Sequence, residues 1–395
     1  MKRIRAPRSI MVAVMVMVLV MAPGLLAPGG SIACAAAENP ASPESTLRGL
    51  EDSGATVPID QVFDGISGAG QVSWRDLVRD ILSGKGLDFG KLLSAFARTT
   101  VSDLLINSKV LGRIVLIGVV VACLEILAQT IAPGGSNKIA LWAAHLALIA
   151  LAIFSFNEVL GTARTAMEAQ RTAFFAFIPA LTSLSLVSGA PVTASVLHPL
   201  VFGMGTVVSV FVTDVAFPMV YTSVALDMAG NLGDSDRVSG VAGMLRQAAF
   251  LGIGLLMACF VGVVVGQKAA TGLADGVAYR TAKYVSSTFI PVAGKLIGDT
   301  MDMFFVSAYS LRAAVGIVGC VALLGGLFSP FVQVLSCLCM WKLASAVLGP
   351  LSGNEVKKSL KSMSDAIATL AMALFLTSFC FVICLSLIAH AVKPF

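Results

Sequence analysis

From residue 110 to the C-terminus the chain is a succession of apolar runs, each close in length to one crossing of a lipid bilayer. A run of about 20 apolar residues can pair all of its backbone amides only as a helix, because an unpaired amide in hydrocarbon costs several kcal/mol. The pattern therefore predicts an all-α, polytopic membrane bundle with about eight crossings. The predicted crossings are residues 110–131, 139–156, 174–187, 196–221, 248–266, 313–328, 331–348 and 366–388.

Two features of the pattern decide how these crossings connect. Pro330, placed after Gly325 and Gly326, predicts a very short helical hairpin between residues 313–328 and 331–348. The polar insert at residues 267–310 has apolar residues interrupted by proline and by charges, namely Pro291, Lys295, Asp299 and Asp302. We expect this insert to form a re-entrant or interfacial hairpin that does not cross the membrane.

The distribution of basic residues supports that expectation. If the insert does not cross, Lys268, Arg280 and Lys283 fall on the cytoplasmic side, together with the Lys357, Lys358 and Lys361 cluster. Cytoplasmic loops carry an excess of Lys and Arg. A full crossing by the insert would place the second cluster on the exported side, against this bias.

The N-terminal part of the chain has a different pattern. Four basic residues precede an apolar stretch at residues 10–22, and small residues follow up to residue 37. This order is typical of a cleavable signal peptide, so residues 1–37 are predicted to be removed, with an uncleaved anchor as the alternative. Residues 38–108 would then be an exported region, first rich in Pro, Ser and Glu and then amphipathic and helical, followed by a membrane domain at residues 109–395.

Composition and motifs argue against several functional classes. Hydrophobic residues make up 57% of the chain and charged residues 12%, and the net charge of +5 forms no aromatic-interleaved basic patch, so lipid rather than nucleic acid is the expected partner. The chain has no GxxxxGK[ST] loop, no HExxH and only 3 His residues. We therefore expect no enzymatic activity, no metal and no cofactor, and we expect the cysteines of the crossings to be apolar packing residues.

Three stretches of the chain resemble a known family. The segment ATGLADGVAYRTAKYVSSTFIPVAGKLIGDTMD at residues 270–302 resembles the signature of the stage III sporulation protein AE family. The segments SGAPVTASVLHPLVF at 188–202 and KLASAVLGPLSG at 342–353 are similar to that family as well. The resemblance implies a multipass protein of the mother-cell membrane that surrounds the forespore. It further implies a permease-like or export-gate-like subunit of a channel or secretion-like complex. The partners would be other stage III A proteins, including an ATPase and ring-forming proteins, and stage II sporulation protein Q.

Ionisable residues in or beside crossings are costly and therefore mark candidate functional positions. Asp299 and Asp302 lie at i, i+3, and Lys295 precedes Asp299 by four residues, so a helix would place all three on one face. Such a cluster could line a polar path, or it could simply cap a hairpin. The other ionisable candidates are Glu125, Asp214, Arg280, Lys283, Arg312 and Lys342.

Proline positions suggest an alternative function. Pro179 and Pro291 each end a Phe-Ile-Pro triplet, and Arg-Thr-Ala precedes both triplets, which is a weak internal repeat. Broken helices in inverted repeats are typical of secondary transporters. A stand-alone transporter of a small solute or ion is therefore one rival hypothesis, and a purely structural membrane scaffold is another. His198 and Pro199 form an element that is similar to the family and is predicted to shape a helix start.

Overall fold

The computed structural model describes residues 136–232, 236–289, 294–348 and 354–389. All regular structure in these ranges is helical, which confirms the all-α class. The elements are α1 Ser136–Val187, α2 Pro191–Val210, a π-helical segment Phe211–Ala216, α3 Phe217–Leu232, α4 Asp236–Phe289, α5 Gly294–Leu348 and α6 Asn354–Ala389. The signal peptide, the exported region and the predicted crossing at 110–131 lie outside the described residues.

The helices are far longer than the predicted crossings. α1, α4 and α5 contain 52, 54 and 55 residues, and at a rise of 1.5 Å per residue each extends for about 80 Å. Within the described residues, four stretches are long and apolar enough to cross a bilayer. They are Pro191–Asn231, Arg237–Thr281, Phe304–Ala346 and Lys357–Ala389. The membrane class is supported, whereas the predicted total of about eight crossings is not confirmed.

The hairpin predicted at Pro330 is wrong, because α5 continues through this residue as one helix. α5 runs antiparallel along α1 on both sides of the proline. Nη1 of Arg312 donates to Ser188 Oγ over 3.3 Å, Gln170 Nε2 donates to the Leu323 carbonyl over 2.7 Å, and Trp341 Nε1 donates to Ser155 Oγ over 3.2 Å. A proline removes a single helical hydrogen bond, and neighbouring helices in a bundle compensate for that loss.

The residues between the predicted crossings 139–156 and 174–187 are also helical, so both crossings belong to the single helix α1. This segment is amphipathic. Its charged side chains point outward, while apolar side chains three and four residues apart are buried in the core. The exposed residues are Glu158, Arg164, Glu168 and Arg171, and the buried ones include Phe156, Leu160, Ala163 and Met167. The charges made this segment resemble a loop, although its apolar positions keep the helical period.

We call the end of the bundle where α1 ends and α2 begins the upper end, and the end where α3 meets α4 the lower end. Between them, three helices contain long stretches without Asp, Glu, Lys or Arg, and we call these stretches the charge-free layer: residues 247–267 of α4, 313–341 of α5 and 366–389 of α6. The upper part of α1 lacks charges only at residues 172–187, and the exposed charged residues below it lie beside the lower half of the α5 stretch. The α4 portion alone is about 30 Å long, which is the thickness of a hydrocarbon core.

α4 and α5 continue past the upper end of the other helices. Beyond Asp275 and Ala308 each helix adds about 20 Å, up to Phe289 and from Gly294. The Tyr279 ring meets the edge of the Phe305 ring at a centroid distance of 5.7 Å. We call residues 276–289 and 294–308 the upper hairpin. A hairpin in the insert is thus observed, while its re-entry into a bilayer stays a prediction.

Because α5 runs from the upper to the lower end without turning back, the two basic clusters separate. Lys268 and Arg280 lie at the upper end, and Lys357 and Lys358 lie at the start of α6 at the lower end. The sequence analysis placed both clusters on one side of the membrane because it counted α5 as two crossings. In the bundle they lie at opposite ends, and their sides of the membrane stay a prediction.

A labelling experiment tests this arrangement. Single cysteines introduced by Arg280→Cys and Lys358→Cys in a cysteine-free background should react with an impermeant maleimide from opposite faces of sealed vesicles. The physical reason is that one continuous helix separates the two positions. Labelling of both positions from the same face would contradict a single passage of α5.

Close helix packing in the layer depends on glycine. A Cβ added at Gly316 would lie 2.0 Å from Ala389 Cβ, and one added at Gly319 would lie 2.5 Å from Leu385 Cδ2. α5 and α6 approach one another there because no side chain separates them. By contrast, a Cβ at the exposed Gly203 of α2 meets nothing within 4 Å.

We expect Gly316→Ala to lower the thermal stability of the purified protein, since overpacking typically costs about 1–3 kcal/mol. Gly203→Ala is the matched control, and it should be neutral or stabilising by up to about 1 kcal/mol because alanine is the better helix former. Thermal unfolding in detergent, followed by tryptophan fluorescence, measures both. Equal stability of the two variants would argue against the contact between α5 and α6.

Candidate functional site: a buried polar latch at the upper end

Asp275 of α4 caps the N-terminus of α2 from another helix. The N-cap residue of α2, Ala190, has no side chain that accepts a hydrogen bond, and Pro191 follows it in the first helical turn. The two carboxylate oxygens of Asp275 accept the backbone N–H groups of Val192 over 2.8 Å and of Thr193 over 2.9 Å. A carboxylate at this position satisfies free amides and is stabilised by the positive end of the helix dipole.

Thr271 extends the contact, because it lies one turn before Asp275 on the same face of α4. The hydroxyl groups of Thr193 and Thr271 are 3.1 Å apart and hydrogen-bonded, and the Thr271 hydroxyl is also 2.9 Å from the Gln267 carbonyl. Asp275 is only 4% exposed and Thr271 only 5% exposed. Polar groups that are largely buried therefore attach the start of α2 to α4.

Arg312 of α5 makes the complementary contact with helix C-termini. Its side chain is 1% exposed. Nε donates to the Ile388 carbonyl over 3.1 Å, Nη2 donates to the same carbonyl, and Nη1 donates to Ser188 Oγ over 3.3 Å. Ile388 lies in the last turn of α6, where carbonyls lack helical partners, and Ser188 follows the last residue of α1. A cation at these positions is stabilised by the negative ends of both helix dipoles.

We call Ser188, Thr193, Thr271, Asp275 and Arg312 the polar latch. It joins α1, α2, α4, α5 and α6 within the first turns below the upper hairpin. Asp275 attracts the Arg312 guanidinium electrostatically, and the nearby Lys268 repels it. Opposite charges placed at opposite kinds of helix end offset part of the cost of burying each one.

The chemistry of the latch is structural. Both carboxylate oxygens of Asp275 accept amide hydrogens from α2, so its charge stabilises the N-terminus of that helix. Across residues 136–232, 236–289, 294–348 and 354–389, no three His, Cys, Asp or Glu side chains form a group that could hold a metal ion. The latch instead fixes the base of the upper hairpin against the rest of the bundle.

The part of the chain that contains the latch matches a known protein family. The family model described as stage III sporulation protein AE matches residues 72–392, which include every latch residue. The chain belongs to the stage III sporulation protein AE family. Stage III sporulation protein AE of Bacillus subtilis (strain 168) is 29% identical over 289 residues, covering 73% of this chain and 72% of that protein. No solved structure matches the chain. Family membership and the apolar helices together identify a membrane protein of sporulation.

Within the family-like stretch at 270–302, residues 270–289 form the end of α4 and residues 294–302 the start of α5. Arg280 is exposed on α4. The helical backbone from Gly294 onward places Lys295, Asp299 and Asp302 on one face of α5, as predicted from their spacing. The side chains of Lys283 and of these three residues lie outside the described part of the structure, as do Pro291 and Glu125 entirely. A polar path through them stays a prediction.

Asp214 has a different environment from the one its place in a predicted crossing suggested. It lies in the π-helical segment, and its side chain is exposed on the outside of the bundle. A Cβ at Gly252 would lie 2.8 Å from the ring of Phe211, so Asp214 is near the level of residues 248–252 of α4. Arg246 follows just below that level. Asp214 therefore lies at the lower edge of the charge-free layer and does not line an internal path in this chain.

The predicted helix start at His198 and Pro199 is wrong, because α2 begins at Pro191 and contains both residues. His198 Nδ1 is instead hydrogen-bonded to Thr182 Oγ1 of α1 at 2.9 Å. Pro179 likewise lies inside the continuous α1, and its side chain is exposed. Neither proline breaks its helix, so Pro179 does not supply the broken helix on which the transporter hypothesis relied.

Sequence reasoning missed most of the latch. It singled out Arg312 as ionisable, but it passed over Asp275, Thr271 and Ser188. One available signal was the i, i+4 spacing of Thr271 and Asp275, which places two polar groups on one face of an otherwise apolar helix. Their partners at the start of α2, and those of Arg312 at the ends of α1 and α6, are far away in sequence and could be identified only from the fold.

Replacement of Arg312 tests the latch. Arg312→Gln should lower the stability of the purified protein by about 1–3 kcal/mol, because the Ile388 carbonyl loses a charged donor and Asp275 loses a compensating charge. Arg164→Gln removes the same charge from an exposed position of α1 and should leave stability unchanged. Thermal unfolding in detergent micelles compares the two. A similar midpoint for Arg312→Gln and the unmodified protein would contradict the structural role.

Proposed function

We propose that this protein is a non-enzymatic membrane subunit of the channel or secretion-like complex that joins the mother cell to the forespore. Its role in that complex would be permease-like or export-gate-like, and its location would be the mother-cell membrane around the forespore. Its partners would be the ATPase and ring-forming stage III A proteins and stage II sporulation protein Q. Family membership and the charge-free layer support this proposal.

The observation that carries the proposal is the polar latch at the base of the upper hairpin. Asp275 and Arg312 attach α4 and α5 to the ends of α1, α2 and α6 by hydrogen bonds that are buried from water. A helical hairpin fixed in this way extends about 20 Å beyond Asp275 and Ala308. This is the geometry expected of an element that meets a neighbouring subunit, and the residues of the latch are unsuited to a reaction.

The two rival functions differ in what they require. A stand-alone transporter relied on helices broken near Pro179 and Pro291, and α1 is continuous at Pro179. No described feature favours that function. A pure scaffold would use the same bundle and hairpin, but it would not need the acidic residues of the hairpin to line a path. The scaffold and the conduit are therefore separated by removing those acids.

A sporulating strain that carries Asp299→Ala together with Asp302→Ala provides the test. The matched control is Glu158→Ala with Asp365→Ala, which removes two exposed acids from α1 and α6. Co-purification with the stage III A proteins measures assembly, and heat-resistant spore counts together with forespore reporter activity measure output. For a conduit, we expect the hairpin variant to assemble normally but to lose heat-resistant spores and forespore reporter activity. The control variant should keep both.

Other outcomes would overturn the proposal. Full output from the hairpin variant would favour the scaffold. Solute or ion movement by the purified chain alone in liposomes would favour the stand-alone transporter. If the unmodified chain does not co-purify with any stage III A protein from sporulating cells, the protein is not a subunit of such a complex.

A further inference from the structure

Two side chains deep in the bundle carry polar atoms that have no partner among the described residues. Gln170 of α1 is 2% exposed and Ser378 of α6 is 0% exposed. The side-chain nitrogen of Gln170 donates to the Leu323 carbonyl of α5, but no described group donates to its Oε1, and Ser378 Oγ is unpaired as well. Buried polar atoms in folded proteins nearly always have a hydrogen-bond partner, so both atoms need one.

The Ser378 hydroxyl differs from the other hydroxyl groups of α6. The hydroxyl of the preceding Thr377 donates to the Ala373 carbonyl over 2.8 Å, and the hydroxyl of Thr369 donates to the Asp365 carbonyl over 2.9 Å. This contact with the preceding turn is the usual one for Ser and Thr within a helix. Ser378 does not make it, so its hydroxyl is available to a group outside α6.

Gln170 and Ser378 lie at the same level of the bundle. The rings of Phe174 in α1 and Phe381 in α6 stack with their centroids 4.4 Å apart. Both helices run toward the upper end. Gln170 precedes Phe174 by four residues and Ser378 precedes Phe381 by three, so each lies one turn below the stacked rings on the same face of its helix.

Ser378 also lies on the side of α6 that packs against α5. It follows Phe375 by three residues and precedes Leu385 by seven, a spacing that keeps all three on one side of a helix. The Phe375 ring lies 5.7 Å from the Phe331 ring of α5, and Leu385 closes on Gly319 of α5. Ser378 therefore faces the part of α5 between these contacts, which includes the carbonyl bound by the glutamine of α1.

This part of α5 contains a third polar group that lacks a partner within its helix. Pro330 has no N–H, so the amide that would donate to the Gly326 carbonyl is missing. Gly326 follows Leu323 by three residues and lies on the same face of α5. Gly325 and Gly326 have no side chains, so a small molecule can approach this carbonyl closely.

The three groups together define what they bind. Gln170 Oε1 and the Gly326 carbonyl only accept hydrogen bonds, and the Ser378 hydroxyl has one hydrogen to donate. A water molecule can donate to both carbonyl oxygens and accept from the hydroxyl. Buried waters make about three hydrogen bonds to groups of this kind. We propose that Gln170, Gly326 and Ser378 bind one buried water molecule between α1, α5 and α6.

A metal cation fits these groups poorly. All three oxygens are neutral, and the charge-free layer of α5 and α6 supplies no carboxylate beside them. Neutral oxygens alone do not offset the cost of removing a cation from bulk water. The bound water instead replaces the donor that Pro330 lacks, and it ties the uninterrupted helix α5 to both neighbouring helices.

Removal of the Ser378 hydroxyl tests the site by the sign of its effect. If the hydroxyl donates to a bound water, Ser378→Ala should lower the midpoint of thermal unfolding of the purified protein by about 2 °C. If the hydroxyl has no partner, its removal should leave the midpoint unchanged or raise it, because an unpaired buried group is lost. Either of these two results would overturn the proposal.

A double-mutant cycle shows whether the two side chains share one ligand. In the Gln170→Met background the water loses an acceptor, so Ser378→Ala should then have less than half of its effect on the midpoint. Thr377→Val is the matched control, because Thr377 is also 0% exposed but its hydroxyl is paired within α6. Its effect should be the same in both backgrounds. Equal effects of Ser378→Ala in both backgrounds would contradict a shared water.

Two further measurements keep the test decisive if Gln170→Met does not fold. A structure of the full-length protein in lipid nanodiscs, at a resolution that shows ordered water, should have density about 2.7–3.2 Å from all three oxygens. Protein groups that move into this space in place of such density would refute the site. Replacing sodium and potassium in the buffer by choline should leave the midpoint unchanged, whereas a fall that disappears in Ser378→Ala would identify a cation and overturn the water.

Discussion

The compensation of free helix ends by buried charged side chains is the interaction on which this architecture depends. Asp275 satisfies the first free amides of α2, and Arg312 satisfies a terminal carbonyl of α6 and the serine that follows α1. Water cannot take these positions at low cost near a hydrocarbon layer, since an unsatisfied backbone group there costs several kcal/mol. Two side chains of opposite charge, one from α4 and one from α5, provide hydrogen-bond partners at three helix ends.

This arrangement explains why α4 and α5 can extend beyond the upper ends of the other helices. Their charged residues are positioned by the ends of α1, α2 and α6, so the remaining turns leave the bundle from a fixed base. Much of the family-like stretch at 270–302 lies on these turns of α4 and α5. A projecting hairpin with a fixed base holds its residues at defined positions before a neighbouring subunit binds. A flexible loop of the same composition would lose conformational entropy on binding.

The helices differ in how much of their surface is buried in the bundle. α6 and the middle of α5 are mostly buried, and glycines such as Gly316 and Gly319 allow them to touch. α4 lies at the side, with one face in the bundle and the other outside it. Its exposed glycines are costly in a helix and have no neighbour within the described chain.

The amino-acid pattern by itself determined the helical class, the membrane as solvent and the family, because the length of apolar runs and a distinctive local stretch are read without any tertiary contact. It also placed Lys295, Asp299 and Asp302 on one helical face, since that depends on local period alone. Tertiary structure decided the path of the chain. Pro330 and the charged part of α1 resemble breaks locally, yet both continue as helix because α1 and α5 pack along each other. The latch was likewise decided by the fold, because its groups are separated by up to 124 residues in sequence and only packing brings them together.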